Sequence, residues 1–137
     1  MVNSTNAVSI GPVQLEAPVW LAPMTGVSDL PFRRLVKSFG PGQVVSEMIA
    51  SRAALIDNAN FKRMSSFSPE ETPFAIQLAG CDPDIMAEAA KLNEDRGAQI
   101  IDINFGCPVK KVVGSYAGSA LMREVPLATK ILQAVVK

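Results

Sequence analysis

Short apolar runs and helix-type segments alternate four times along this chain, and that alternation restricts the fold more than any other feature. Pro18-Val19-Trp20-Leu21-Ala22 is an apolar run. After a loop, Phe32, Leu35, Val36 and Phe39 recur on one helical face, with Ser28 or Asp29 as the cap and Gly40-Pro41 as the stop. Gln43-Val44-Val45-Ser46-Glu47 reads as a second strand, and residues 49–56 as a second helix ahead of a polar connection rich in Ser, Asn and Pro. Phe74-Ala75-Ile76-Gln77-Leu78 is a third strand. Asp82-Pro83 then opens a helix with cap and first-turn proline together, and Gly97 closes it. Residues 100–104 form a fourth strand. Beyond a long loop, Pro126 begins a fourth helix with Leu127, Ile131, Leu132 and Val135 on one face.

Strands that alternate with helices pair in parallel, because helical crossovers return each strand beside the last in the same direction. Two architectures satisfy this, an open doubly wound sheet and a (β/α)8 barrel of the TIM type. No Gly-x-Gly-x-x-Gly follows the first strand, which weakens the dinucleotide-binding form of the open sheet. The placement of polar residues favours the barrel. Gln77 shares a small, polar face with Ala75 and Ala79, opposite Phe74, Ile76 and Leu78, and Asp102 and Asn104 alternate with Ile101 and Ile103. In a barrel the greasy face meets the helices, and polar groups at the strands' C-terminal ends meet a ligand. A full barrel takes about 250 residues, so the four βα units of residues 1–137 are expected to be the N-terminal half of such a domain. A fragment, or a half that pairs with something to close, would both fit.

The fourth strand runs into Gly106-Cys107-Pro108-Val109-Lys110-Lys111. Pro108 disfavours helical geometry at Cys107, and with Gly106 it makes the exit from the strand abrupt. A sulfur presented there can serve as an acid, a nucleophile or a ligand; the alternative is a small buried hydrophobe. The loop over residues 105–125 is long for a compact domain. Its Lys110, Lys111, Gly114, Tyr116, Gly118 and Arg123 suit an extended anionic or aromatic partner, or simply make a solvated basic turn.

Thirteen basic and thirteen acidic residues cancel, so no global pull towards nucleic acid or an anionic membrane is visible. Cys81 and Cys107 are the only cysteines and there is no histidine, which excludes a Cys/His zinc site and a His-dependent triad within one chain. No metal site is expected. The N-terminus lacks the charged start and apolar run of a signal peptide, and no apolar segment approaches the ~20 residues of a membrane span. The chain therefore reads as cytoplasmic, with no membrane partner.

Taken together, these segments resemble the N-terminal half of the catalytic barrel of the tRNA-dihydrouridine synthases, the bacterial B-type enzymes above all. Ala22-Pro23-Met24-Thr25-Gly26-Val27-Ser28-Asp29 is similar to the family's first-strand motif, Ser46-Glu47-Met48 to its second and Gln77-Leu78-Ala79-Gly80 to its third. Residues 102–111 with Ala117-Gly118-Ser119-Ala120-Leu121 are similar to its fourth. Thr25 and Phe105 stand where other residues are common, and neither change removes a needed chemical group.

The resemblance implies a flavin enzyme that reduces the C5=C6 bond of particular uridines in tRNA, with FMN as cofactor and NADPH as reductant. It implies Cys107 as the proton donor to C5, a role open to an ordinary thiol of pKa about 8.5, which still holds its proton near neutral pH. Pro23, Met24 and Thr25 would lie against the flavin ring, largely through main-chain groups, and Gln77 would pair with its polar edge. Asn104 would touch the flipped uracil or the flavin, and Lys110 and Lys111 the RNA phosphates. Glu47 and Asp102 read equally as structural acids or as ligand contacts, and Cys81 as incidental. In the family, the flavin phosphate is held by the last barrel strands and a C-terminal helical domain grips tRNA; neither is represented in these residues. Two rival readings follow, another FMN barrel acting on a small molecule, and a non-catalytic half-barrel that self-associates.

Overall fold

The computed structural model describes residues 8–56 and 59–137; the absence of a leader, read from the first residues, concerns positions 1–7 and lies outside the described residues. A hairpin comes first, β1 (Val8–Ile10) antiparallel to β2 (Val13–Leu15), turned at Gly11 with φ 55°. It precedes the four expected units and has too few residues for a periodic signal. The first unit is β3 (Trp20–Leu21) with helix α1 (Leu30–Lys37). Asp29 provides the cap of α1, its carboxylate accepting the Phe32 N–H at 3.1 Å. The second unit begins with β4 (Gln43–Val45), two residues shorter than the apolar run suggests.

The helix expected over residues 49–56 is a correction. Ile49–Ala50 form a strand, β5, parallel to the third unit's strand, and only Ser51–Ala54 are helical, as α2. A further helix, α3 (Ala59–Ser65), lies in what reads as a polar connection, and a 3-10 turn over Pro69–Glu71 follows it. The third unit is β6 (Phe74–Ala79) with α4 (Pro83–Asp95), and the fourth begins with β7 (Ile100–Ile103). Helix α4 is capped as its sequence indicates, with Asp82 accepting the N–H groups of Asp84 and Ile85. The long loop is not bare, because it holds α5 (Lys110–Val113) and a 3-10 turn over Gly118–Arg123; α6 (Val125–Val136) follows.

All pairings around β6 are parallel, and the unit strands lie in chain order, β3-β4-β6-β7, with no reversal. A doubly wound sheet reverses its order at a switch point, so this progression is that of a barrel wall. β5 lies on the same side of β6 as β4 and continues it. Val45 faces Ala75 and Ile49 faces Leu78, so four steps run opposite three. The extra residue makes Ser46-Glu47-Met48 a bulge, a device that re-aims side chains near functional sites.

The apolar face of β6 is fully enclosed. Phe74, Ile76 and Leu78 pack with Val44, Ile49, Met86, Ala89 and Ile131 beneath α4 and α6. The helix face expected on α1 is corrected in part, since Leu35 and Phe39 are exposed by 59% and 81% whereas Arg33 is buried. Arg33 can enter because Glu71 meets it at 2.6 Å, the carbonyls of Ser28 and Ser66 accept one N–H from each of Nη1 and Nη2, and its guanidinium sits over the Phe74 ring. A buried charge needs all of these partners at once.

Candidate active site at the C-terminal ends of the parallel strands

Every feature of chemical interest gathers at one end of the sheet. After β3 the chain turns over residues 24–28, where the Val27 and Ser28 N–H groups donate to Met24 O. Ser28, wholly buried, accepts the Met24 N–H through Oγ at 2.8 Å and returns its hydroxyl proton to Met24 O at 3.1 Å. The peptide groups of Met24 are thus consumed in holding the turn. Gly26, at φ 79°, donates its N–H to the Glu47 carboxylate presented by the bulge. Glu47 therefore fastens the first-strand loop to the second strand, which is the structural reading of that acid.

The next strand carries the polar face. Gln77 is 6% exposed, and its main-chain N–H donates to Ser46 Oγ at 3.0 Å. It stands opposite Asp102 in the β6–β7 register. Its side-chain Nε2 donates to Asp102 Oδ2 at 2.5 Å, and its Oε1 accepts from Asn104 Nδ2 at 3.1 Å. Asn104 Oδ1 in turn accepts the N–H of Cys107 at 2.9 Å and that of Gly106 at 3.3 Å. Cys107 is held from the far side too, since its carbonyl accepts the Ser119 N–H at 3.0 Å. A thiol on a peptide clamped at both ends has a fixed origin, and Cys107 as a whole is half-buried.

At the same end of the sheet lies a cleft of about 510 Å³, and Gln77, Asp102, Asn104 and Cys107 are not among the residues that line it. Its lining includes Thr25, Met48, Arg52, Ala79, Gly80 and Lys111, from the ends of four successive units. The size falls within the range of small-molecule and cofactor pockets. Of the residues singled out from the sequence, the structure brings Gln77, Asn104 and Cys107 into one hydrogen-bonded chain and places Thr25 and Lys111 on the cleft. Pro23 and Met24 sit in the adjoining turn, and Lys110 is exposed at the start of α5. Met48, Ser51, Arg52 and Cys81 also line the cleft, and none of them was a candidate. The signal that could have found Cys81 is its place directly after Gly80 at the end of the third strand, the same end that presents Cys107. Among the described residues no group of three His, Cys, Asp or Glu side chains is placed to hold a metal ion, and no helix is long and apolar enough to cross a membrane.

Comparison with known proteins points to one family. The family model described as "Dihydrouridine synthase (Dus)" matches residues 20–137. The chain is 56% identical over 131 residues to a probable tRNA-dihydrouridine synthase of Rickettsia bellii, and 57% identical over 131 residues to that of Rickettsia prowazekii. It is 48% identical over 132 residues to tRNA-dihydrouridine synthase B of Pseudomonas aeruginosa. These matches cover 95–96% of this chain and 40% of each relative, so the chain spans about two-fifths of the length of the curated relatives it matches. With a family match that runs from the first parallel strand through α6, the chain belongs to the dihydrouridine synthase family.

Proposed function

We propose that this chain carries the proton donor and one wall of the flavin pocket of an FMN- and NADPH-dependent tRNA-dihydrouridine synthase. The observation that carries the reading is the hydrogen-bonded line from Gln77 through Asn104 to the Cys107 peptide, at the end of the strands that also holds the cleft. The residues suit a flavin. Gln77 spends one N–H on Asp102 and one lone pair on Asn104. A primary amide has two of each, so one donor and one acceptor remain for a ring edge that offers both. The small side chains Ala50, Ala79 and Ala117 leave room for a planar group, and the Thr25 main chain adjoins it.

Gln77 and the segment at Thr25 would hold the flavin ring, and when bound in its reduced form that group would supply hydride to C6 of uracil. Cys107 then gives its proton to C5, and its clamped peptide keeps the sulfur from retreating as the base enters. A base in a tRNA stack must be turned out to reach such a cleft. In this reading Lys110, Lys111 and Arg52 meet the phosphates of the splayed strand, and Asn104 meets the base. NADPH is the reductant of choice for this reading, and the cytoplasm, where tRNA is modified, its setting.

A second reading is supported by a different observation. Trp20 on the β3 margin and Phe39 at the end of α1 are 51% and 81% exposed, and Leu132 and Val136 on α6 are exposed as well. Apolar surface at the β3 margin and on α6 favours self-association of the 137-residue chain, with little flavin affinity and no turnover of its own. The test of the catalytic reading is incubation of tRNA lacking dihydrouridine with a polypeptide of the relatives' length carrying these residues, FMN and NADPH. Dihydrouridine should form with one NADPH consumed per base. NADPH consumption with no dihydrouridine in any tRNA would overturn it.

A further inference from the structure

The relay at the ends of β6 and β7 has a direction. Cys107 and Gly106 donate to Asn104, Asn104 donates to Gln77, and Gln77 donates to Asp102. A peptide N–H can only donate and an ionised carboxylate can only accept. The two ends therefore fix the sense of both amides between them. Turning either amide over would set donor against donor at one neighbour and acceptor against acceptor at the other, a costly arrangement around the buried Gln77 amide.

We propose that Asp102 is a positioning residue whose carboxylate sets the donor and acceptor order of the Gln77 and Asn104 amides, and through them holds the peptide groups that aim Cys107. Its functional meaning rests on the reading of Gln77 and Cys107 given above. With Nε2 committed to Asp102, the one N–H and one lone pair that Gln77 keeps for a ligand stand in a fixed order. A planar ring edge with the complementary order is accepted, and one with the reverse order meets two mismatches. A carboxylate acting only as a buried charge would have no directional effect of this kind.

Moving the charge along the relay tests the direction. In Asn104→Asp the new carboxylate still accepts from Cys107 and Gly106, but its second oxygen faces Gln77 Oε1. Gln77 must then turn over, which points Oε1 at Asp102. Adding Asp102→Asn places a donor there and removes the conflict. The readout is hydrogen exchange, by mass spectrometry, of a peptide over residues 105–109 in the 137-residue chain, with a peptide from β6 reporting global unfolding. Exchange at Gly106 and Cys107 should be about tenfold faster in Asn104→Asp, and the double variant should return to within about threefold of the parent.

Parent-like exchange in Asn104→Asp, or a double variant as fast as that single one, would overturn the proposal. Should Asn104→Asp fail to fold, the double variant decides. A folded double variant with the peptide protected supports the relay, and an unfolded one contradicts it. Neither tRNA nor flavin enters the measurement, so its failure would leave the proton-donor role of Cys107 to be judged by dihydrouridine formation alone.

Discussion

Arg33 Nε lies 2.6 Å from Glu71 Oε1, and both side chains are shut off from solvent at 1% and 0% exposure. The pair ties α1 to the turn before β6. Through the Ser28 carbonyl, which accepts from Arg33 Nη1 at 2.9 Å, it also supports the loop over residues 24–28 at the site. Glu71→Gln leaves the guanidinium buried without its countercharge and should cost about 3–5 kcal/mol in urea unfolding. The neighbouring pair, Arg34 with Glu70, is exposed at 53% and 62%. Hydrogen bonds from Arg34 and then Ser68 hold the Glu70 carboxyl below its usual range, yet Glu70→Gln should leave the unfolding midpoint essentially unchanged. A midpoint shift for Glu70→Gln as large as that for Glu71→Gln would contradict this account of the pair.

The contrast shows what the sequence makes legible. β6 and α4 are readable because their information is local: a run that alternates polar and apolar, then Asp82-Pro83 and a glycine stop. The barrel-type α/β class follows from the repetition of such units, and the parallel sheet in chain order bears it out. Arg33 is not readable, since its countercharge, Glu71, stands 38 residues away. β5 is missed for a similar reason. Ile49 and Ala50 become strand by pairing with Leu78 and Ala79 across a bulge that no periodicity announces. At the site, the residue types that chemistry requires stand out, whereas the bonds joining Asp102, Gln77 and Asn104 depend on register and appear only in three dimensions.

Gly118 is the close approach on which Cys107 depends. Its φ is +61°, and a Cβ there would stand 2.6 Å from the Cys107 carbonyl oxygen. Gly118→Ala should lower stability by about 1–3 kcal/mol from the left-handed backbone alone. It should also displace the peptide, seen as a changed rate of Cys107 alkylation by iodoacetamide. Parent-like stability and alkylation together would show that the loop adapts at no cost.

Lys110 and Lys111 are exposed at the start of α5, beside the cleft and off the Gln77 network. In a polypeptide of the relatives' length, changing both to Ala should weaken tRNA binding and flatten its salt dependence. The log–log slope should fall by roughly 0.7–0.9 for each phosphate that a lysine no longer neutralises. FMN retention should not change. An unaltered slope with weakened FMN retention would place these lysines at the flavin.

For the 137-residue chain alone, the β3 margin pairs only with β4 and the β7 margin only with β6 among the described residues. Open strand margins recruit other chains, and Trp20 on β3 and Leu132 on α6 add exposed apolar surface. Sedimentation velocity should show dimers or larger species carrying little flavin absorbance. A monomer with stoichiometric FMN would refute the expectation.

The central claim is that Cys107 delivers the proton to C5, and replacing its sulfur tests it most directly. In a polypeptide of the relatives' length, Cys107→Ala should keep FMN and its reduction by NADPH, because no hydrogen bond of the Gln77 network passes through the thiol. Dihydrouridine formation in single turnover on tRNA should fall by about 10²–10⁴-fold, the usual loss when a general acid is removed. Formation within about threefold of the parent would contradict the account, since a transition-state proton donor cannot be lost so cheaply.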